Sequence, residues 1–313
     1  MPMSSRIAII GTGNVGATAA YALMLRGIVS EIVLIDRSAE HAAAEATDIA
    51  DANAIARPAR IWAGDYSDVR DAAILVITAG ATPKDGEPRT SVAARSATIV
   101  RDCVGQARQA GFAGVLVVAS NPADAMTQVA QAASGLPAER VIGTGTLLDS
   151  NRFRKRIADR LGIAPGAIAA TVLGEHGDSE VMAYSIVRIG GMDLDAYLDG
   201  QHFDRAEVAH EVMRAGYTIG HGKGFTSYGV ATAIVRICEA IHRDERVVLP
   251  VSTLLTGQYG IDGIYLSLPC LIGAKGILRI LTPELTSGET KALLASADVL
   301  RRTLEQTEDN GSE

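Results

Sequence analysis

The segment Gly11-Thr12-Gly13-Asn14-Val15-Gly16 is the strongest indication of the fold in this sequence. It directly follows an apolar run at residues 6–10 and opens an alanine-rich segment that extends to about Gly27. This order predicts a β-strand, a tight turn and a helix. In such a G-x-G-x-x-G, the first glycine makes the turn, the second lets backbone amides approach a pyrophosphate, and the third lets helix and strand pack closely. The alternative is a glycine-rich turn that binds no nucleotide.

A carboxylate follows the next predicted strand, at residues 31–35. Asp36 lies there, at the usual spacing of about 20 residues, where an acidic side chain accepts hydrogen bonds from the hydroxyls of an adenosine ribose. Its charge would repel a 2′-phosphate, so NAD is favoured over NADP, although the neighbouring Arg37 keeps NADP open. The candidate cofactor-binding residues are Gly11, Gly13, Asn14, Val15, Gly16 and Asp36.

The first half of the chain alternates short β-branched runs with alanine-rich helical segments, which is typical of a parallel sheet built from βαβ units. Strands are predicted at residues 6–10, 31–35, 73–78, 115–119 and 141–143, and helices at residues 13–27 and 39–54.

The pattern changes near residue 146, where helical segments become longer and the strands look more antiparallel. Helices are predicted at residues 147–161, 205–219 and 226–241, and strands at residues 167–173, 181–187, 247–254 and 264–271. We therefore predict an α/β fold. A Rossmann-type doubly wound parallel sheet, residues 1–145, is followed by an α+β substrate domain, residues 146–313, with a C-terminal helix and a polar tail that frays from about Gln306.

Composition and charge exclude several classes of function. With 313 residues, 48% hydrophobic and 21% charged, the chain is a globular protein long enough for two domains. Its net charge of -7 includes no basic cluster, which argues against nucleic-acid and membrane partners. No apolar segment reaches the ~18 residues of a membrane span, and the N-terminus leaves no room for a signal peptide. The odd number of widely spaced cysteines predicts reduced thiols in a cytoplasmic protein.

A second stretch carries the candidate chemistry, Val172-Leu173-Gly174-Glu175-His176-Gly177-Asp178-Ser179-Glu180. Histidine is the side chain that titrates nearest neutrality, and flanking acids raise its pKa by stabilising the charged form. His176 is therefore a candidate proton donor. His-Gly-Asp at a strand end is more often only a turn, and the tripeptide by itself favours that interpretation.

An acid and an arginine lie on one face of a predicted helix, at Asp149 and Arg152. If Asp149 reaches His176, it fixes the imidazole tautomer and stabilises the imidazolium. Arg152 is then free to bind a carboxylate with two parallel hydrogen bonds. Without context, such a pair is more often a surface ion pair.

A polar segment with two prolines, from Gly80 to about Ala93, follows the strand predicted at residues 73–78. A loop at the carboxyl end of a strand overhangs the crevice where open α/β sheets bind ligands. The segment, which includes Arg89, is a candidate lid, and an ordinary surface crossover is the equal alternative.

Over nearly its whole length the sequence resembles the family of NAD-dependent L-lactate and malate dehydrogenases. The matching segments are, in order, Ile9–Gly16, Ile77–Ala81, Ser120–Asp124, Ser134–Pro137, Val141–Thr146, Leu148–Phe153, Gly174–Asp178 and Gly257–Ile261. The resemblance implies NAD as the cofactor and adds Gly80, Ala81 and Asn121 to its candidate binding residues.

The resemblance also implies a role for each candidate side chain. His176 would protonate a 2-oxo group as hydride arrives from the nicotinamide, with Asp149 orienting it. Arg152 would hold the substrate carboxylate, and Arg89 would close over the carbonyl and stabilise its developing charge. Asn121 would lie near the nicotinamide and the substrate oxygen.

Only a few residues indicate which branch of the family the chain resembles. Glu175, the Gly143–Thr146 segment and Thr226, which would line the substrate pocket, resemble the lactate branch. Pro83 stands where lactate enzymes usually carry glutamine and malate enzymes arginine. A proline offers neither an amide nor a guanidinium, which disfavours malate and leaves room for a larger substrate side chain. Lys84 keeps an oxaloacetate-type activity open if the loop register shifts by one.

The prediction is thus an L-lactate dehydrogenase-type oxidoreductase that uses NAD and a small 2-oxo or 2-hydroxy acid. The alternatives are a malate-type or branched-chain L-2-hydroxy acid dehydrogenase and, from another class, a non-catalytic NAD-binding module. No metal site is predicted, and the resemblance implies a homo-oligomer, either a dimer or a tetramer. The resemblance also predicts that activation by fructose 1,6-bisphosphate is absent. Bacterial lactate enzymes that this sugar phosphate activates pair an arginine, here Arg154, with a histidine, and Ala169 stands at the histidine position.

Overall fold

A computed structural model describes residues 5–81 and 89–309 of the chain. The strands in this part are β1 Arg6–Ile10, β2 Glu31–Ile35, β3 Arg60–Ala63, β4 Ile74–Ile77, β5 Val115–Val118, β6 Val141–Gly143, β7 Ile168–Ala169, β8 Val172–Leu173, β9 Val181–Met182, β10 Arg188–Ile189, β11 Met192–Asp193, β12 Val247–Thr256, β13 Asp262–Gly273 and β14 Gly276–Ile280. The α-helices are α1 Asn14–Arg26, α2 Ala39–Asn53, α3 Arg89–Gln109, α4 Ala123–Ser134, α5 Leu147–Leu161, α6 Leu194–Leu198, α7 Arg205–Lys223, α8 Tyr228–His242 and α9 Ser287–Asp309.

A nine-stranded sheet forms the centre of the molecule, in the order β3-β2-β1-β4-β5-β6-β12-β13-β14. Strands β1 to β6 pair with one another only in parallel, and their order is that of a doubly wound nucleotide-binding sheet. Strands β12 to β14 add an antiparallel extension. The predicted Rossmann-type sheet, and the antiparallel character of the second half, are confirmed.

The strands of this sheet are apolar on both faces because helices cover both. In β1, Ile7 and Ile9 belong to one core cluster, whereas Ala8 and Ile10 belong to another. A strand buried on two sides has no solvent face, so its sequence is a continuous apolar run instead of an alternating one.

The carboxyl ends of the parallel strands lie level with one another. The backbone N–H of Thr78 donates to the carbonyl of Ile10 at 2.9 Å, and that of Ala119 donates to Ile77 at 2.9 Å. Helices α4 and α5 begin shortly after β5 and β6 end at this same edge. Open α/β sheets bind ligands at such an edge, near the point where the strand order reverses between β1 and β4.

Two strands predicted in the second half are wrong in extent. Residues 167–173 form β7 and β8, which pair with β10 and β9 in two different small sheets. Residues 181–187 form β9 and a 3-10 turn at Tyr184–Ile186. The elements that lie outside the predicted ones are β3, β10, β11, β14, α3, α4 and α6.

The central sheet runs across the boundary predicted near residue 146, because Ser252 of β12 pairs with Gly143 of β6. The division into residues 1–145 and 146–313 stays a prediction. At the other end, α9 continues to Asp309, past Gln306 where fraying is predicted. Within the described ranges, no helix combines the length and the apolar character that crossing a membrane requires.

Candidate active site

The turn between β1 and α1 brings bare backbone to the edge of the sheet. Gly11 has a φ of +96°, and a Cβ added there would lie 2.6 Å from the backbone nitrogen of Ala79. A Cβ on Gly16 would lie 1.9 Å from the carbonyl oxygen of Gly11. A Cβ on Gly13, in contrast, would meet nothing within 4 Å. The first and third glycines are therefore required for packing, whereas the second faces open space.

Helix α1 starts at Asn14 with Gly13 as its N-cap. No side chain caps it, and its first turn contains no acid. The first-turn N–H groups, including those of Val15 and Gly16, therefore keep hydrogen-bonding capacity and a partial positive charge. The open space at Gly13 and these amides fit the pyrophosphate of a dinucleotide.

Asp36 lies directly beside this turn. Its Oδ2 accepts the backbone N–H of Thr12 at 2.8 Å, and its Oδ1 accepts that of Ser38 at 3.1 Å. Burial raises the pKa of Asp36, but these hydrogen bonds outweigh it, so the pKa lies below its ordinary value. The carboxylate is ionised at neutral pH, which suits ribose hydroxyls and opposes a 2′-phosphate.

Gly80, Ala81 and Asn121 follow two neighbouring strands. Gly80 and Ala81 come after β4, and Asn121 comes after β5. The hydroxyl of Ser120 donates to the carbonyl of Ala79 at 2.5 Å, which joins the two segments. Asn121 is exposed at the edge that also holds the glycine turn.

The histidine, the acid and the arginine that the sequence singles out meet in one cluster. Nδ1 of His176 lies 2.6 Å from Oδ2 of Asp149, in the first turn of α5. The side chain of Asp149 is 3% exposed, and that of His176 is 28% exposed. Arg152, expected to be free of Asp149, donates from Nη1 to its Oδ1 at 2.7 Å. One buried carboxylate therefore joins an accessible imidazole and a guanidinium.

This pairing determines the charge of the cluster. The negative charge of Asp149 raises the pKa of His176 to about 9, although burial acts in the opposite direction. Burial raises the pKa of Asp149, but His176 and Arg152 together bring it below its ordinary value. At neutral pH the pair is an imidazolium and a carboxylate, and the imidazolium can give up its Nε2 proton.

Comparison with known proteins decides the family. Residues 5–143 match the family model described as lactate/malate dehydrogenase, NAD binding domain, and residues 146–310 match its alpha/beta C-terminal domain. The chain belongs to the lactate/malate dehydrogenase family. It is accordingly an enzyme, an NAD-dependent oxidoreductase, and the cofactor prediction is confirmed.

Individual relatives of this dehydrogenase family are similar over nearly the whole chain. An L-lactate dehydrogenase of Thermoanaerobacter sp. (strain X514) is 43% identical over 307 residues, which are 96% of this chain and 99% of that protein. The minor L-lactate dehydrogenase from Enterococcus mundtii, in its ligands-bound form, has a TM-score of 0.94 at 38% identity and covers 97% of this chain and 98% of its own. A lactate dehydrogenase enzyme from a Medee basin deep-sea metagenome library has a TM-score of 0.95 at 38% identity, with 98% and 99% coverage.

The predicted lid of this family member falls largely outside the described residues. Pro83 and Lys84 lie in the segment 82–88, outside the residues that the structure describes. Arg89 is the first residue of α3, and its side chain also lies outside the described part. The roles predicted for Pro83 and Arg89 therefore stay predictions.

Thr226 is half-buried between α7 and α8. A Cβ added to Gly229 on α8 would lie 2.9 Å from Cδ1 of Leu148, so the start of α8 packs against the turn of α5 that carries Asp149. Thr226 thus precedes a segment that contacts the helix carrying Asp149.

Glu180 belongs to the cluster but was not among the predicted site residues. Ligating atoms of Asp149, His176 and Glu180 lie within 4.8 Å of one another. Oε1 of Glu180 is buried and has no hydrogen-bond partner among the described residues. Burial, and then the charge of Asp149, raise the pKa of Glu180 to about 8. Burial therefore favours the neutral form of this carboxyl group, which its place as the last acid of the 172–180 stretch does not reveal.

Two side chains hold the backbone of the histidine loop. The N–H of His176 donates to Oδ2 of Asp124 at 2.7 Å, and the N–H of Glu175 donates to Oγ of Ser296 at 2.8 Å. Neither contact was predicted, because Asp124 lies 52 and Ser296 121 residues away in sequence.

Arg154 and Ala169 lie on α5 and β7. Nε of Arg154 is buried without a hydrogen-bond partner in the described part of the chain, and burial lowers the pKa of its guanidinium. Ala169 is exposed. The predicted absence of activation by fructose 1,6-bisphosphate stays a prediction.

Proposed function

We propose that the chain is an L-lactate dehydrogenase-type oxidoreductase that transfers hydride reversibly between NADH and pyruvate or a related small 2-oxo acid. The observation that carries the proposal is the 2.6 Å contact of His176 Nδ1 with Asp149 Oδ2, beside Arg152 on the other oxygen of that carboxylate. A protein that only binds NAD needs no imidazole held as a proton donor. The named relatives, which are L-lactate dehydrogenases, support the same substrate class.

Proton transfer is assigned to His176. Its imidazolium gives the Nε2 proton to the carbonyl oxygen of the 2-oxo acid, which becomes a hydroxyl, and in the opposite direction the neutral ring takes that proton back. Asp149 holds the ring in one orientation and stabilises its charge. When bound, the nicotinamide supplies the hydride that the carbonyl carbon receives.

Substrate binding is assigned to the residues around this pair. Arg152 binds the substrate carboxylate with the part of its guanidinium fork that Asp149 does not occupy. Arg89 stabilises the charge that develops on the carbonyl oxygen. Asn121 lies near the nicotinamide and the substrate oxygen, and Thr226 lines the pocket.

The choice of substrate side chain is assigned to Pro83. A proline provides no partner for a second carboxylate, which favours pyruvate and leaves longer or branched 2-oxo acids as the alternative. The malate-type activity is the other alternative, and it requires Lys84 to supply the missing cation.

A substrate panel tests this proposal. We expect kcat/KM with NADH to be higher for pyruvate, 2-oxobutyrate or 2-oxoisocaproate than for oxaloacetate. The variants Pro83→Gln and Pro83→Arg form a matched pair, because only the arginine adds a charge, and we expect only Pro83→Arg to raise the rate with oxaloacetate. A wild-type enzyme that prefers oxaloacetate would contradict the assignment of Pro83.

Three further features complete the proposal. Residues 1–145 would hold NAD, and residues 146–313 would carry the catalytic histidine.

Large apolar side chains stay exposed on α1 and at the start of α8, including Leu25 at 48% and Tyr228 at 72%. This exposure supports a homo-oligomer, whose mass light scattering would measure. The three cysteines form no disulfide, which supports a cytoplasmic location.

A further inference from the structure

Asp124 is a buried carboxylate that the proposed mechanism does not use. It lies in the first turn of α4 and is 2% exposed. Its Oδ2 accepts the backbone N–H of His176 at 2.7 Å, and its Oδ1 faces the hydroxyl of Ser267 on β13 at 3.5 Å. Removing a carboxylate from water is costly unless its partners offset the loss. The position in the first turn of a helix also favours a negative charge.

The contacts of Asp124 connect the elements that build the catalytic cluster. Oγ of Ser267 also accepts the backbone N–H of Thr146 at 3.1 Å, and Thr146 immediately precedes the helix that carries Asp149. His176 is therefore held twice. Asp124 holds its main chain at 2.7 Å and Asp149 holds its ring at 2.6 Å.

We propose that Asp124 is a positioning residue for proton transfer, which fixes the backbone of His176 and adds a second negative charge beside the imidazolium. This deepens the proposed dehydrogenase function and rests on it. The acidic groups that face His176 are Asp149 from α5, Asp124 from α4 and Glu180 from its own loop. The groups that face Asp124 are His176 and Glu175.

The two groups titrate in different ranges of pH. Burial raises the pKa of Asp124 to about 6, so that it is ionised at pH 7. Asp149 has the largest effect on the raised pKa of His176, about 9, and Asp124 acts in the same direction. As the pH falls through about 6, Asp124 takes up a proton while the imidazole stays charged. The backbone N–H of His176, which donates directly to Asp124, thus reports the charge of Asp124 in this range of pH.

The first test uses the wild-type protein. The chain has six histidines, so labelling with 15N-histidine gives few amide signals, and the His176→Asn variant identifies the one of residue 176. We expect its amide proton to resonate downfield at pH 7 and to move upfield as the pH falls through about 6. A signal of residue 176 at an ordinary amide position at pH 7, without the downfield shift that a hydrogen bond to a carboxylate causes, would overturn the proposal. No turnover is needed, so this result is independent of whether the enzyme reduces any 2-oxo acid.

The second test uses variants. Asp124→Asn keeps an acceptor oxygen but removes the charge, whereas Asp124→Ala removes both. We expect Asp124→Asn to lower kcat about tenfold and to move the alkaline limb of kcat/KM down by about one pH unit, with NADH affinity unchanged. Asp124→Ala should lose more of kcat.

Glu239→Gln is the control, because it removes another buried carboxylate, 4% exposed and paired with Arg26. We expect it to leave the alkaline limb in place. If Asp124→Asn keeps both the wild-type kcat and the wild-type limb, the charge of Asp124 has no role in proton transfer and the proposal is overturned. If the variants do not fold, the amide signal of residue 176 in the wild-type protein decides whether the proposal holds.

Discussion

The glycine turn at residues 11–16 and the cluster around His176 lie at the same edge of one sheet, but they are built in opposite ways. The turn is a run of consecutive residues, 11–16, in which the absence of a side chain at Gly11 and Gly16 lets backbone segments approach closely. The cluster is built from the paired charges of Asp149, Arg152 and His176, and Asp124 holds its backbone, so that three separate elements bring these groups together. The first is local backbone geometry, and the second is a long-range arrangement of charge.

Because of this difference, the two regions are sensitive to different kinds of substitution. A turn made of backbone is damaged by added atoms, whereas a cluster made of paired charges is damaged by removing one charge and leaving its partner buried. Substitutions should therefore separate binding of NADH from the chemical step.

The largest effect is expected for His176→Asn. The variant keeps a polar side chain but has no proton to give near neutral pH, so kcat for pyruvate reduction should fall on the order of 10³–10⁴-fold. NADH affinity, measured by fluorescence titration, should stay at the wild-type value because the turn is untouched. A non-catalytic NAD-binding module would instead show the same slow turnover in wild type and variant.

The next effect is expected for Asp149→Asn. Without this carboxylate the main cause of the raised pKa of His176 disappears, so the ring loses its proton at a lower pH. Reduction should slow about 10²-fold at pH 7, and its alkaline limb should move to lower pH.

Asp159→Asn is the matched control for that experiment, since Asp159 lies on the same helix and pairs with the exposed Lys155. It should leave rate and pH profile unchanged. An equal loss in both variants would mean that helix stability, and not the charge beside His176, causes the effect.

An intermediate effect is expected for Gly13→Ala, which adds an atom to the glycine turn. The added methyl group meets nothing within 4 Å in the protein, so the melting temperature should change little. The group would stand where the pyrophosphate approaches, and NADH affinity should fall about tenfold. Gly16→Ala should instead lower the melting temperature, because its methyl carbon would lie 1.9 Å from Gly11 O. Equal melting temperatures for the two variants would contradict this division.

The smallest effect is expected for Glu180→Gln. The wild-type side chain has a pKa of about 8, so it is neutral below that pH and charged above it. At pH 7 the variant should behave like wild type. At pH 9 the ionised Glu180 should repel the substrate carboxylate and raise the KM for pyruvate about fivefold in wild type, but not in the variant. The same rise in KM in wild type and variant would show that the ionisation of Glu180 does not cause it.

The sequence predicts the two regions unequally. Gly11 to Gly16 and Asp36 can be assigned from spacing, because their geometry is local. His176, Asp149 and Arg152 depend on the family resemblance, since no local pattern tells that residues 149 and 176 touch. Neither the spacing of residues nor the family resemblance identifies Asp124 or Glu180 as part of the site. Their contacts follow from the way α4 and the histidine loop pack together, and their protonation depends on burial that only the folded chain provides.

The pairing of Ser252 with Gly143 has a consequence for dividing the chain. Strand β6 lies between β5 and β12, and its residues Val141 and Ile142 are fully buried. A fragment that ends at residue 145 would turn β6 into an unprotected edge strand with unpaired backbone groups, and such edges recruit other strands. The NAD-binding half expressed alone should therefore self-associate, although every residue of its nucleotide turn is present.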